Sequence, residues 1–218
     1  MIEAILPRAA SFAEAFGDPP EAVLYPGEEG MVARAVESRR REYTTTRHCA
    51  RVALRDLGYE PVAIPTGEKG EPVWPAGVVG TLTHCPGYRA AALARAEDLV
   101  SFGIDAEPHL PLPDGILEAV ARPEEQSHLA ALKASAPEVH WDRLLFSAKE
   151  SVYKAWFPLA RRRLDFVEAT LEFDRAARSF HATLHQTGPE VHGRPLTSMS
   201  GRWLVAKGLV TTSVVIDH

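Results

Sequence analysis

Cysteine is almost missing from this chain: 218 residues hold only Cys49 and Cys85. Two cysteines cannot build a disulfide framework, and these two lack the paired spacing of a zinc site. No apolar run approaches the roughly 20 residues that a membrane-spanning helix needs. Residues 1–16 carry Glu3, Pro7, Arg8 and Glu14 where a signal peptide has a basic start followed by a continuous apolar stretch. The expectation is a cytoplasmic protein with no membrane partner. An excess of positive charge is also lacking. The 24 Lys+Arg against 29 Asp+Glu give a formal net charge of -5, which argues against a protein built to coat nucleic acid. With 45% hydrophobic and 24% charged residues, the composition excludes disorder, collagen-like repeats and coiled coil, and the length allows one large domain or two small ones.

The bland total hides a segregated pattern. Between Arg34 and Arg55 seven arginines face only Glu37 and Glu42, a local +5; between Glu97 and Glu125 eight acids face only Arg122, a local -7. A chain that separates charge in this way is suited to handling an anion with one segment and a cation with the other.

Hydrophobic periodicity predicts a helix from about Gly30 to Leu57, stopped by Gly58, with a break possible near Ser38. Three strands are predicted next, at Val78–Thr83, Arg89–Arg95 and Leu99–Glu107. Beyond Pro108, Pro111 and Pro113, short helices are expected around Gly115–Ala121 and from Pro123. A long helix follows from about Pro137 to Phe157, closed by Pro158, with Trp141, Leu144, Leu145, Ala148, Val152, Ala155 and Trp156 on one apolar face. Strands are predicted again at 167–173, 179–185, 202–206 and 209–216. A helix followed by strands, twice in about 110 residues each, predicts two similar α+β halves, 1–108 and 109–218, with a crevice between them as the place for a ligand.

Five groups of residues could carry chemistry. Asp105 and Glu107 end a predicted strand and share a face, and two adjacent carboxylates repel unless a proton or cation sits between them. A hard ion such as Mg2+ suits such a pair, although an isolated D-x-E is more often a solvated strand end. Glu150 and Lys154 lie one turn apart off the core face of the long helix, as does Lys149, either as a surface ion pair or as a carboxylate ligand or base beside a phosphate-neutralising lysine. Arg40, Arg47 and Arg51, with Arg39 on the flank, approximate one helical stripe that could grip a phosphate or simply be a solvated basic face. Thr83 and His84 end a buried strand. Thr66, Gly67, Glu68 and Lys69 open a glycine-flanked turn, an ordinary loop or a phosphate-contacting one, without the spacing of a Walker A loop.

The order of these blocks is specific. Thr83-His84, then Gly103-Ile104-Asp105-Ala106-Glu107, then Trp141 followed by Ala148-Lys149-Glu150-Ser151-Val152-Tyr153-Lys154 resembles the 4'-phosphopantetheinyl transferases of the Sfp type. The resemblance runs from about Arg39 through Phe157, including Gly70-Glu71-Pro72-Val73-Trp74-Pro75. With its 19 arginines and five lysines, and with Asp105-Ala106-Glu107-Pro108-His109, the chain looks closest to members from high-GC Gram-positive bacteria.

That resemblance implies a fold of two pseudo-twofold-related halves, each a long helix on a small antiparallel sheet. It implies transfer of the 4'-phosphopantetheine arm of coenzyme A to a serine of an apo acyl or peptidyl carrier protein, releasing adenosine 3',5'-bisphosphate. Asp105, Glu107 and Glu150 would hold Mg2+, or Mn2+ in its place. Arg39, Arg47 and His84 would contact the nucleotide end, with Thr83 and the loop Thr66, Gly67, Glu68, Lys69 lining the same pocket. Related sequences often carry a basic residue where this chain has Thr66, so Lys69 is the expected phosphate contact. Lys154 would sit on the pyrophosphate and Glu150 would serve as base, directly or through a metal-bound water. A monomer suffices, and Arg161-Arg162-Arg163 is one candidate rim for carrier docking. Two other readings stay open on the residues: a metal-dependent phosphodiesterase or nuclease, and a catalytically silent carrier- or nucleotide-binding module.

Overall fold

The arginine-rich segment forms helix α1 at Glu37–Asp56, seven residues later than its periodicity predicts. The cause is a carboxylate. Glu28 is fully buried, and it accepts the backbone N–H groups of Tyr25 and Ile64 at 2.8 Å each while Arg51 of α1 donates to it at 2.8 and 3.1 Å. Residues 25–28 are thereby drawn onto the helix flank, and the chain passes through a 3-10 turn at Glu29–Val32 before α1 begins. Met31 and Val36, inside the predicted helix, lie before its observed start and are mostly exposed.

The computed structural model describes all 218 residues. A strand that sequence patterning did not predict, β1 at Ser11–Ala15, joins β2 at Val78–Cys85 and β3 at Tyr88–Arg95 in an antiparallel sheet ordered β1-β3-β2. Helix α1 packs on this sheet through Cys49, Ala50, Ala53 and Leu54, against Ala91 and Leu93. The next strand, β4 at Leu99–Pro108, belongs elsewhere. Grouped with the N-terminal half in the sequence reading, it pairs with the last strand, β10 at Leu209–Asp217.

Beyond β4 come the short α2 at Ile116–Val120, α3 at Pro123–Ser135 and the long α4 at Trp141–Ala160. Strands β5 (Ala169–Asp174), β6 (Ser179–Leu184) and β9 (Ser198–Ala206) complete a five-stranded antiparallel sheet ordered β4-β10-β9-β6-β5. Between β6 and β9 lies an unpredicted two-stranded ribbon, β7 (Glu190–Val191) with β8 (Arg194–Pro195). The architecture is α+β, a long helix on an antiparallel sheet in each half. No helix is long and apolar enough to cross a membrane.

Pro158 does not close α4. The helix continues through it to Ala160 and ends at Arg161 in the left-handed conformation, φ 52°. A proline this near the end forfeits only one helical hydrogen bond, and Leu159 and Ala160 still pack on the core between α4 and the five-stranded sheet. Small residues seat α4 on its sheet. A Cβ on Gly103 would lie 2.1 Å from the Ser151 carbonyl oxygen, so the helix backbone rests directly on β4. The Ser101 hydroxyl donates to the Ala155 carbonyl at 2.8 Å, and Ser147 and Ser151 share hydrogen bonds with Thr212 of β10.

The two sheets meet without a backbone ladder. On the edge of β4 that faces β2, the Ile104 N–H donates to the Thr81 hydroxyl at 3.1 Å and the Ala106 N–H to the Thr83 hydroxyl at 2.9 Å.

Lys149, expected off the core face, is also buried. Its ammonium donates to Glu125 at 2.8 Å and to the carbonyls of Phe166 and Ala169, while Glu125 accepts the N–H groups of Arg122 and Leu171. Each long helix thus carries one buried ion pair to a neighbouring segment, Arg51–Glu28 joining α1 to the stretch before it and Lys149–Glu125 joining α4 to the first turn of α3. Removing one partner leaves an uncompensated buried charge, at a cost of about 3–5 kcal/mol. Glu28→Ala and Glu125→Ala should each lose stability on that scale in urea unfolding, whereas Asp98→Ala, at an exposed turn, should shift the midpoint little.

Candidate functional site

A cavity of about 790 Å³ lies where α1, β2, β4 and α4 converge, within the range of small-molecule pockets. Its two sides differ in charge. Arg39, Arg47, Lys69 and His84 come from the N-terminal half; Asp105, Glu107 and Glu150 come from β4 and α4, with Lys154 among them.

On the basic side, Arg47 is nearly fully buried, its guanidinium 3.7 Å from the centre of the Tyr43 ring, with Nη2 donating to the Thr66 hydroxyl at 3.0 Å. The Tyr43 and Thr66 hydroxyls are also bonded to each other, at 3.0 Å. The Thr66 side chain therefore serves to place Arg47, and Thr66, Gly67 and Glu68 are not among the cavity's lining residues. Lys69 and Gly70 are, and the turn is held by the Gly67 N–H on the Glu71 carbonyl and by Gly70 at φ 90°. The arginine stripe divides. Arg39 and Arg47 reach the cavity, Arg40 donates to the Val32 carbonyl, and Arg51 is committed to Glu28.

Arg39 Nη1 lies 2.6 Å from His84 Nε2, and His84 Nδ1 lies 3.4 Å from a Glu42 oxygen. An arginine can only donate, so the imidazole accepts at Nε2 and is neutral. Burial and the Arg39 charge push its pKa down to about 4. The neighbouring Cys85 thiol is pushed up to about 12 by burial, as is Cys49, which excludes both as nucleophiles.

On the acidic side, Asp105 is buried. Its Oδ1 accepts from Lys154 Nζ at 2.7 Å and from the Thr83 hydroxyl at 3.3 Å, while Oδ2 is buried with no hydrogen-bond partner. Thr83 spends its hydroxyl on the Ala106 N–H and on Asp105, so it positions a carboxylate. Lys154 also donates to the Ile104 carbonyl at 3.1 Å. Glu107 accepts from Arg143 at 3.0 Å. Burial and then the Asp105 charge hold Glu107 above the usual carboxylate range, against the pull of Arg143. Burial raises Glu150 as well, with Lys154 opposing and Asp105 reinforcing. A second cavity of about 220 Å³ shares Glu150 and Tyr153 with the first and is walled by Val152, Leu164 and Phe166.

The donor set suits a hard divalent cation. Three carboxylates line one cavity, and one of their oxygens is buried and unpaired. No three side chains are drawn around a single point in this arrangement, because Lys154 engages Asp105 and Arg143 engages Glu107. The sequence reading missed Arg143 and Tyr43. Each had a spacing signal: Arg143 lies seven residues before Glu150, and Tyr43 four before Arg47. Of the Arg161–Arg163 triplet, Arg161 lines the cavity and pairs with Glu71, which lines it too, while Arg162 lies over Trp156 and Arg163 pairs with Asp165.

The neutral His84 has a pH consequence. An unfolded imidazole titrates near 6.5, so as pH falls from about 6.5 towards 4 the unfolded chain takes up a proton that folded His84 refuses, and stability declines through that window. The His84 ring resonance should titrate near 4 by NMR, and His84→Gln should flatten the acid side of the stability profile. A midpoint near 6.5 would contradict the geometry.

Two family models cover most of the chain: a 4'-phosphopantetheinyl transferase N-terminal domain over residues 27–94 and the 4'-phosphopantetheinyl transferase superfamily over 101–204. Their division falls between β3 and β4, where the sheets part. The chain is 52% identical over 219 residues to 4'-phosphopantetheinyl transferase Svp of Streptomyces mobaraensis, covering 99% of this chain and 89% of that protein. It is 48% identical to 4'-phosphopantetheinyl transferase Npt of Nocardia iowensis, covering 98% of this chain and 99% of that one. It is 44% identical to 4'-phosphopantetheinyl transferase PptT of Mycobacterium tuberculosis, covering 99% and 98%. With matches of this length on a site assembled between its two halves, the chain belongs to the 4'-phosphopantetheinyl transferase superfamily.

Proposed function

We propose that this protein moves the 4'-phosphopantetheine arm of coenzyme A onto a serine hydroxyl of an apo carrier protein and releases adenosine 3',5'-bisphosphate. The observation that carries the proposal is Asp105 Oδ2, buried and unpaired on the acidic side of a cavity whose other side is cationic. A nucleotide with a 3'-phosphate and a pyrophosphate has the complementary charge. Its phosphates would lie towards Arg39, Arg47, Lys69 and His84, and its pyrophosphate would bridge towards Asp105, Glu107, Glu150 and Lys154. Arg47, pressed on Tyr43 and tied to Thr66, gives a planar, fixed donor for that purpose. The pantetheine arm carries no phosphate beyond the pyrophosphate, and the smaller, partly apolar cavity beyond Glu150 gives it a path.

Asp105, Glu107 and Glu150 would hold Mg2+ or Mn2+. Such an ion, when bound, supplies Lewis-acid stabilisation of charge developing on phosphoryl oxygens. The protein's own part is positional and electrostatic, the usual requirement of phosphoryl transfer. The serine oxygen attacks the phosphorus that bears the pantetheine. Glu150 takes the hydroxyl proton, and the bond to the bridging pyrophosphate oxygen breaks with its electron pair leaving on adenosine 3',5'-bisphosphate. Burial and the Asp105 charge raise the proton affinity of Glu150, which suits a carboxylate that must accept a proton. Lys154, anchored on the Ile104 carbonyl, offsets negative charge beside the reacting centre.

The deciding experiment incubates the protein with coenzyme A, Mg2+ and a panel of apo carriers and reads intact mass. One phosphopantetheine should be gained on a carrier serine, and none without coenzyme A. Asp105→Ala should lose about 10²-fold or more in turnover, the scale of removing one transition-state stabiliser; near-normal loading by the folded variant would overturn the assignment. Glu150→Gln, shown to be folded by its thermal melt, should lose most of the loading activity in the same intact-mass assay.

A further inference from the structure

Asp105 and Glu107 leave one face of β4, and each is held by a single oxygen. On Asp105 it is Oδ1, taken by Lys154 and Thr83, and Oδ2 is left without a partner. On Glu107 it is Oε2, taken by Arg143 Nη1 at 3.0 Å, and no hydrogen bond reaches the other oxygen. The parallel is notable because the two holding cations come from the same helix, α4, eleven residues apart.

Arg143 is not a free surface arginine. Its Nε donates to the Leu110 carbonyl at 3.1 Å and its Nη2 to the Pro111 carbonyl at 2.9 Å. That segment is fixed to the start of α4 a second time, by the Leu112 N–H on Asp142 at 2.7 Å. A third tie is the His140 N–H on His109 Nε2 at 3.1 Å. A guanidinium is planar, so with two nitrogens committed to neighbouring carbonyls the direction of the third is set. It points at Glu107 Oε2.

We propose that Arg143 is a positioning residue for cation binding: anchored on the Leu110 and Pro111 carbonyls, it fixes Glu107 by one oxygen and leaves the other, together with Asp105 Oδ2, for a divalent ion. This rests on the functional reading above. Groups that orient a metal ligand from behind carry about 10- to 100-fold of metal affinity. Charge alone gives a different expectation, since a guanidinium near a cation repels it. Arg143→Lys separates the two effects. A lysine keeps the charge but has one nitrogen, which cannot hold two carbonyls and Glu107 in a fixed fork.

The test titrates the whole protein with Mn2+ and reads free Mn2+ by electron paramagnetic resonance, with thermal melts of every variant. Arg143→Lys should bind Mn2+ about 10-fold more weakly than the parent protein. The same substitution in a Glu107→Gln background should have little further effect, because the group it positions is gone. Equal or tighter binding by Arg143→Lys overturns the inference while leaving the functional reading in place. So does an equal loss in the Glu107→Gln background, which would mark a general structural effect and is readable even if Arg143→Lys melts early. No Mn2+ binding by the parent protein at millimolar concentration overturns both readings together.

Discussion

The site depends on how β2 meets β4. One edge of β4 is paired with β10 by an antiparallel ladder. The other edge presents the N–H groups of Ile104 and Ala106, and they are answered by the hydroxyls of Thr81 and Thr83. Alternate residues on one strand meet alternate residues on the other, so the period-2 geometry of both is used. A second ladder would have fused the sheets into one. Side-chain acceptors instead let two sheets abut while keeping the edge of β4 satisfied, which a buried edge requires. Thr83, engaged with Ala106, also donates to Asp105, and His84, the next residue, meets Arg39. The junction that holds the halves together is therefore also the junction where a basic wall faces an acidic one.

Confining the acids to one side has an energetic consequence. Asp105, Glu107 and Glu150 are gathered in one cleft, where desolvation and the neighbouring Asp105 charge favour protonation of the two glutamates. Glu107 and Glu150 show this in their raised pKa values. The protein relieves the strain only in part, with Lys154 on one oxygen of Asp105 and Arg143 on one of Glu107. Complete neutralisation would leave no reason to bind a cation or to accept a proton. Incomplete neutralisation is what the proposed roles require, since a carboxylate oxygen left without a partner can still take a cation or a proton.

Much of this was legible in the residues, and the limits have physical causes. Periodicity found α4 because Trp141 to Trp156 repeats at three- and four-residue steps, and alternation placed Asp105 and Glu107 on one face. Helix ends were less legible. The start of α1 is decided by Glu28 reaching Arg51 and Ile64, contacts that span 23 and 36 residues. Local pattern has no access to such distances. The grouping of β4 with the strands before it failed to foresee its pairing, since that is set by β10, a hundred residues later. Lys149 was expected off the core because the apolar face of α4 was already assigned to Trp141, Leu144, Leu145, Ala148, Val152, Ala155 and Trp156. Its burial requires Glu125 of α3 and the carbonyls of Phe166 and of Ala169 at the start of β5. Of the arginine stripe, spacing showed which residues share a side of α1 and could not show that one of them is spent on Glu28.

Close approach explains why the acidic wall closes from two elements. Gly103 lets the α4 backbone lie directly on β4, and the Ser101 hydroxyl bonds to the Ala155 carbonyl on the same stretch of helix. Ser151 and Thr212 lock the helix to β10 just beyond. These contacts are made by the smallest side chains available, in the turns of α4 that carry Glu150 and Lys154. A larger residue at 103 would hold the helix off the strand, and the reach of Lys154 to Ile104 and Asp105 would lengthen with it. The glycine two residues before Asp105 is thus part of the site without touching any ligand: it sets the separation at which a lysine from a helix and a carboxylate from a strand can share one face of a cavity.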